Sequence, residues 1–567
     1  MEVFLVLSYL VMKKIFLLTL VLLAFACKNK KETSKEEVVL WMPYNDSLEV
    51  EKNKTHKNSR MRYKLLQSKV IDKNEIFLPL YPEVQKLSEK EYTALKPLIL
   101  EKDIYTLRKQ LDEGVLTYEK LVLFYLYRIY KYELDNTTTL NTVIALNKDV
   151  VKQARKLDEL KNANNEPASK HPIYGMPILL KDNINTKNMA TTAGAIALKN
   201  NSTDDAFIVK QLKENGALIL GKVNLSEWAY FLCTGCPVGY SAVGGQTLNP
   251  YGRTVFETGG SSAGSGTAVA ANYAVAAVGT ETSGSILSPS SQNSVVGLKP
   301  TIGLLSRTGI VPISSTLDTP GPMAKNVGDA AILLDAMKGK DAADSKSVEK
   351  HLGVLSAPLI DNSLKGKRFG VIKNLLESDS IYKITIDKLR EQGSVIVEIT
   401  PPEVSMSGFL SILNIDMKHD LPTYIKNQTK NQLPINDIKS AVAFNAKDSV
   451  VRIPYGQALF RGILADTTTV EELAVIVSNL EQNGRRYFNE AMDAHNLNAI
   501  LSINNYHAGY AAVAKYPAIT VPMGYKKTGE PISLTFIAKQ FKEAELLRYA
   551  AGFESVFKAR QIPKKYN

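Results

Sequence analysis

Apolar and polar positions along the chain repeat at two periods, and the switches between them outline the fold. IYTLRKQLDEG, from Ile104, predicts an amphipathic helix stopped at Gly114, and TYEKLVLFYLYRIYKYEL a longer one with Thr117 at its start. LNTVIALN reads as a strand and KDVVKQARKLDELK as a helix. Pro177 then leads a short apolar strand ending in Lys181-Asp182-Asn183. DAFIVKQLKENG reads as a helix, ALILGKVN as a strand, LSEWAYFL as a short helix and AGSGTAVAANYAVAA as a helix. NVGDAAILLDAMKG continues as a helix, and KRFGVIKN, a helix to Glu391 and SVIVEIT repeat the strand–helix–strand order. Residues 408–495 are mostly helical. NAILSIN, PAITVPMG and PISLTFIAK are three late strands, and EAELLRYAAGFESVFKAR closes the chain as a helix. Alternation sustained over roughly 450 residues predicts one large α/β domain around a mostly buried sheet. The mixed, polar residues 27–98, including the helical LSEKEYTALKPLIL, read as a tether and arm before a main domain at 99–567.

Composition allows that core: apolar residues make up 45% of the 567-residue chain and charged residues 22%. The net charge of +12 is scattered. Its densest clusters, KNKKETSK and the tail KKYN, lack interleaved aromatics, so solvated surface is favoured over nucleic-acid binding. Lys13 and Lys14 precede the apolar run IFLLTLVLLAFA and then Cys27, the pattern of a signal peptide over residues 1–26, for which Met12 serves as a start. Ala24-Phe25-Ala26-Cys27 resembles the lipobox of bacterial lipoproteins, with Ala in place of the usual Leu. The run is short for a spanning helix. We therefore expect an exported protein held to a membrane by a lipid on Cys27. The other two cysteines, Cys233 and Cys236, leave a small disulfide and two free thiols equally open. A metal or redox role is disfavoured, because the six histidines are dispersed and the loop-like VGYSAVGG follows.

Residues 258–300 stand apart. They hold small residues almost throughout and only two charged side chains, Glu281 and Lys299. GGSSAGS opens a helical run, and TETSGSI follows the apolar Val275 to Val278. Gly and Ser at a helix start expose unpaired N–H groups suited to an oxyanion, and hydroxyls beside such donors are the raw material of acyl transfer. A serine needs a base. Lys181, at the end of an apolar strand, supplies one if desolvation keeps its amine neutral.

GMPILLKD, GGSSAGS, GTETSGSI, VVGLKPT and DTPGPMA, in that order, resemble the amidase signature family, and Ser261 and Ser285 stand the family's 24 positions apart. The resemblance runs from about residue 104 to 563, and within the family is greatest to bacterial peptide amidases. It implies a single domain with a mixed β-sheet covered by helices on both faces. It also implies a hydrolase of linear amides that needs no metal or cofactor. Ser285 is then the nucleophile, Ser261 a bridging serine on a cis peptide bond with Ser262, and Lys181 the base. Backbone N–H groups of Thr282, Ser283, Gly284 and Ser285 would hold the oxyanion, with Ser262 beside them. Small-molecule or peptide amides are the implied substrates. The sequence departs from the family with Glu281 for Asp, Ser283 for Gly and Leu287 for Arg; the last removes an ion pair or contact near the nucleophile.

Three other readings compete. Gly260-Ser261-Ser262-Ala263-Gly264 fits the nucleophile elbow of α/β-hydrolases, an esterase with Ser262 as nucleophile and His495 or His507 as base. Ser347/Lys350, Ser502/Asn504 and Lys527/Gly529 match the short motifs of penicillin-binding enzymes, in surroundings too polar or turn-like for that role. A catalytically idle ligand-binding lipoprotein is the third.

Overall fold

Strand β1 (Val143–Leu146), β2 (Pro177–Lys181) and β3 (Leu218–Val223) begin the main sheet; β4 (Tyr240–Ser241) and β5 (Gly245–Gln246) form a separate hairpin. The main sheet continues with β6 (Ala276–Glu281), β7 (Val296–Lys299), β8 (Thr319–Ala324), β9 (Arg368–Ile372) and β10 (Val395–Ile399). It is completed by β11 (Ala499–Ile503), β12 (Ala518–Tyr525) and β13 (Pro531–Ile537). Its 11 strands run in the order β1-β3-β2-β6-β8-β7-β12-β13-β11-β9-β10. Parallel and antiparallel pairs are mixed, and helices flank the sheet, as an α/β fold requires. This computed structural model describes residues 38–357 and 363–567. The signal segment and Cys27 therefore lie outside the described residues. Pro43–Asn567 forms one compact unit that includes residues 43–98. Among the described residues, no helix is long and apolar enough to cross a membrane.

β2 lies between two parallel neighbours, with Leu180 opposite Lys222 of β3 and Val278 of β6. All five of its residues are buried, which is why PILLK is apolar without alternation. The helix Ala263–Ala270 packs on β6. Its small residues follow from that closeness: a Cβ on Gly264 would lie 2.3 Å from the Asn224 carbonyl oxygen.

Two features differ from the sequence expectation, and a third, the strand β8, was not anticipated by it. The helix over AGSGTAVAANYAVAA stops at Ala270; Asn272 turns left-handed, with φ 57°, and the chain re-enters as β6. Buried Arg128 takes the turn's carbonyls, donating to Ala271 O at 2.9 Å and Asn272 O at 3.1 Å. LSEWAYFL is not a regular helix: Trp228, Ala229 and Tyr230 all have positive φ, and the Trp228 ring packs 5.3 Å from Phe460. β8, with sequence TPGPMA, is a strand despite two prolines. β7 pairs only with its last two residues, Met323 and Ala324, which leaves room for them.

Helices Phe409–Gln428, Ile438–Ala446, Ser449–Arg452, Ala458–Ala465 and Val470–Ala494 make up the expected helical segment. Met417, Leu421, Phe460 and Ile463 on them pack with Trp228 and Leu317.

Candidate active site

β2 delivers Lys181 to the end of the sheet with no exposure to solvent. Its amine Nζ lies 2.8 Å from Ser261 Oγ, 2.7 Å from Thr280 Oγ1 and 3.1 Å from Thr280 O. Burial pulls Lys181 down to about 7, against the opposing charges of Asp318 and Glu281. A neutral amine fits these contacts: it donates two N–H bonds to Thr280 and offers its lone pair to the Ser261 hydroxyl. Asn183 also donates to Thr280 Oγ1, at 3.0 Å. The neighbouring Asp182 pairs with buried Lys222, 3.1 Å away, and accepts from the Thr192 hydroxyl.

Ser261 and Ser262 precede the helix Ala263–Ala270. The cis peptide bond joins Gly260 to Ser261, one bond earlier than the expected link between the two serines. Glycine suits the N-terminal side of a bond that brings its two Cα atoms close. Nor is there room for a side chain: a Cβ there would sit 2.6 Å from Val238 and 2.7 Å from Ser226. Ser262 is pinned to β6, its hydroxyl donating to Thr280 O at 3.0 Å and accepting from Thr280 N at 3.1 Å.

Ser285 lies in the turn between β6 and the helix Leu287–Gln292, half-buried, with its carbonyl accepting from Ser262 N at 3.2 Å. The turn is held at both ends. Thr282 Oγ1 donates to Asp318 at 2.5 Å, and Asp318 is itself fixed by the amides of Ile313 and Ser314. Glu281 Oε2 accepts from Ile286 N at 2.7 Å and Leu287 N at 2.9 Å. This longer acid thus reaches backbone amides directly, one of them that of Leu287, which stands at the family's Arg position. Gly284 takes φ +91°, and a Cβ there would approach Asn505 to 3.0 Å. Among the described residues, no hydrogen bond engages the backbone N–H of Ser283, Gly284 or Ser285, or the Ser285 hydroxyl.

The structure thus joins Lys181 to Ser261 by side chains, and Ser262 to Ser285 by backbone. A cleft of about 240 Å³ opens beside them, lined by Asn183, Thr280, Thr282, Arg307, Asp318 and Asp420 among others. Sequence reading missed Thr280, Asn183 and Asp318 as site residues. The only available signal was their place within or beside the quoted motifs.

The rival motifs are not assembled. His507 Nδ1 lies 2.5 Å from Ser502 Oγ, and burial lowers this ring to about 4; His495 caps the helix Val470–Ala494. Neither histidine bonds Ser262. Ser347 Oγ accepts from Asp341 N, and Lys527 to Gly529 form the turn between β12 and β13. Cys233 and Cys236 form a disulfide, with Cα atoms 5.9 Å apart.

The amidase family model matches residues 120–453. A probable amidase of Arabidopsis thaliana is 36% identical over 483 residues, 82% of this chain and 92% of that one. An amidase family protein from Bacillus anthracis superposes with a TM-score of 0.83 at 38% identity, covering 88% of this chain and all of the other. The peptide amidase of Stenotrophomonas maltophilia superposes with a TM-score of 0.75 at 35% identity, covering 82% and 98%. This chain belongs to the amidase family and is a hydrolase that acts on amides.

Proposed function

We propose that this chain hydrolyses carboxamides, including C-terminal peptide amides, through an acyl-enzyme on Ser285. The observation that carries the reading is the 2.8 Å contact between a fully buried, readily neutral Lys181 and Ser261. Lys181 accepts the Ser261 proton as Ser261 accepts that of Ser285. The freed Ser285 oxygen attacks the amide carbon. The carbonyl oxygen takes up the charge, facing the unengaged amides of Ser283, Gly284 and Ser285. Aimed donors of this kind supply several kcal/mol. The proton then returns through Ser261 to the amide nitrogen, the C–N bond breaks, and amine or ammonia leaves. Water enters by the same relay and releases the acid. Likeness to a peptide amidase supports the substrate class.

A fluorophosphonate probe with peptide mapping tests the nucleophile. We expect the adduct on Ser285, and an adduct on Ser262 would refute the relay. We further propose, on the sequence of residues 1–27 alone, that the protein is exported and lipid-anchored at Cys27. Metabolic labelling with a palmitate analogue should mark the protein and not its Cys27→Ala variant; equal labelling of both would refute the anchor.

A further inference from the structure

The cleft beside the Lys181–Thr280 contact holds acceptors with capacity to spare for a donor from outside the protein. The helix Phe409–Gln428 carries Asp416 and Asp420 one turn apart, and the loop before β8 carries Asp318. Asp318 is already satisfied by Thr282 and two backbone amides. Asp416 accepts from the Ser314 hydroxyl and from Thr316 N. Arg307 is the one guanidinium among the lining residues, and it is committed. Its Nε donates to Asp344 at 3.0 Å, Nη2 to the other Asp344 oxygen, and Nη1 to Ser315 O.

Asp420 differs. It is held by Ser315 alone, whose backbone N–H donates to one oxygen at 2.6 Å and whose side chain also bonds the carboxylate, and it lines the cleft only partly buried. Asn183, 2% exposed, also lines the cleft; its amide nitrogen donates to Thr280, while its buried Oδ1 has no partner. The cleft thus offers a carboxylate held by Ser315 alone and an unpartnered amide oxygen. Burial, with the charge of Asp416, pushes Asp420 up to about 6, so it is still largely ionised at neutral pH.

We infer that the cleft receives a protonated amine of the substrate and that Asp420 is the specificity-determining residue that selects it. An ammonium brings three donors and the missing charge. The inference rests on the cleft being the substrate site of the proposed amidase. The amine is either the free N-terminus of an amino-acid or short peptide amide, or a basic side chain. A divalent cation is disfavoured because no cluster of three or more His, Cys, Asp or Glu among the described residues is arranged to hold a metal.

The test compares kcat/KM within two pairs: alanyl-alaninamide against its N-acetyl form, and N-acetyl-lysinamide against N-acetyl-norleucinamide. The wild type should prefer the cation in one pair, and which pair identifies the amine. Asp420→Asn should lose roughly 10–100-fold on that cation and change by less than about threefold on its neutral partner. Equal loss on both partners, or no cationic preference in the wild type, overturns the inference. Two measurements decide it without relying on that variant. In the wild type, KM for the preferred cation should rise as pH falls through about 6, while KM for the neutral partner does not. Asp416, Asp318, Arg307 and Asp344 are the charged groups around Asp420, and a parallel rise for both substrates would contradict the role. Calorimetry on Ser285→Ala reads binding apart from turnover. Tighter binding of the free-amine ligand supports the inference even if the proposed chemistry fails, and equal binding of both ligands overturns it.

Discussion

At the scale of single residues, the site depends on one lysine whose charge is costly to keep. Lys181 is fully buried among hydroxyls and a carbonyl, and burial brings it to about 7. In the proposed relay Lys181 works as a base only as the neutral amine. Activity should therefore be low below pH 7, rise as pH passes through about 7, and level off above it; the pH profile of kcat/KM checks this. Lys181→Met should cost roughly 10²–10⁴-fold in kcat. Glu281 acts one step away. By taking the amides of Ile286 and Leu287 it fixes the turn in which the amides of Ser283, Gly284 and Ser285 stay free. Glu281→Ala should lower kcat on the order of 100-fold by letting that turn shift. Glu281→Gln keeps an acceptor oxygen while removing a charge that favours protonated Lys181. It should retain more activity, with the acid limb moved to lower pH. An unmoved limb in Glu281→Gln would show that the carboxylate is not felt at Lys181.

At the scale of elements, the helix Ala263–Ala270 and β6 form one tightly spaced unit that joins the backbones of Ser262 and Ser285. Ser265 Oγ donates to Val278 O at 3.0 Å, and Gly264 lies against Asn224. Gly264→Ala should destabilise the protein by about 1–3 kcal/mol or more through this overpacking, read as a lower urea midpoint. An unchanged midpoint would mean the strand–helix spacing yields freely. Sequence legibility follows the same lines. PILLK was readable as a buried strand because parallel neighbours on both sides require a continuous apolar run. The serines and Lys181 were readable because their motifs are local. β6, β7 and β8 were not: small residues serve helix and strand alike, and the prolines of TPGPMA argue against a strand until its partial pairing is seen. Thr280, Asn183 and Asp318 gain their roles only from strand register, and Asp420 from the seating of a helix more than two hundred residues after Lys181. No local pattern encodes those distances.

At the scale of the whole molecule, the C-terminal turn is tied to residues more than four hundred positions earlier and to the turn that leads into β6. Arg128, fully buried, bonds Tyr92, the Ala271–Asn272 turn that leads into β6, and the carbonyl of Tyr566. Tyr566 is 1% exposed, and its hydroxyl reaches Thr138 O. Tyr566→Ala should cost about 3–5 kcal/mol, measured by urea unfolding, although the residue lies in the last turn of the chain. A stable variant would show that the terminal turn is dispensable. Amide hydrolysis follows from membership in the amidase family, and the relay through Lys181, Ser261 and Ser285 is the central claim placed on it. Steady-state hydrolysis of the best carboxamide by Ser285→Ala, beside the wild type at pH 8, tests that claim most directly. The account predicts a loss of at least ~10⁴-fold with the fold intact by circular dichroism; retention of near wild-type turnover in Ser285→Ala would contradict it.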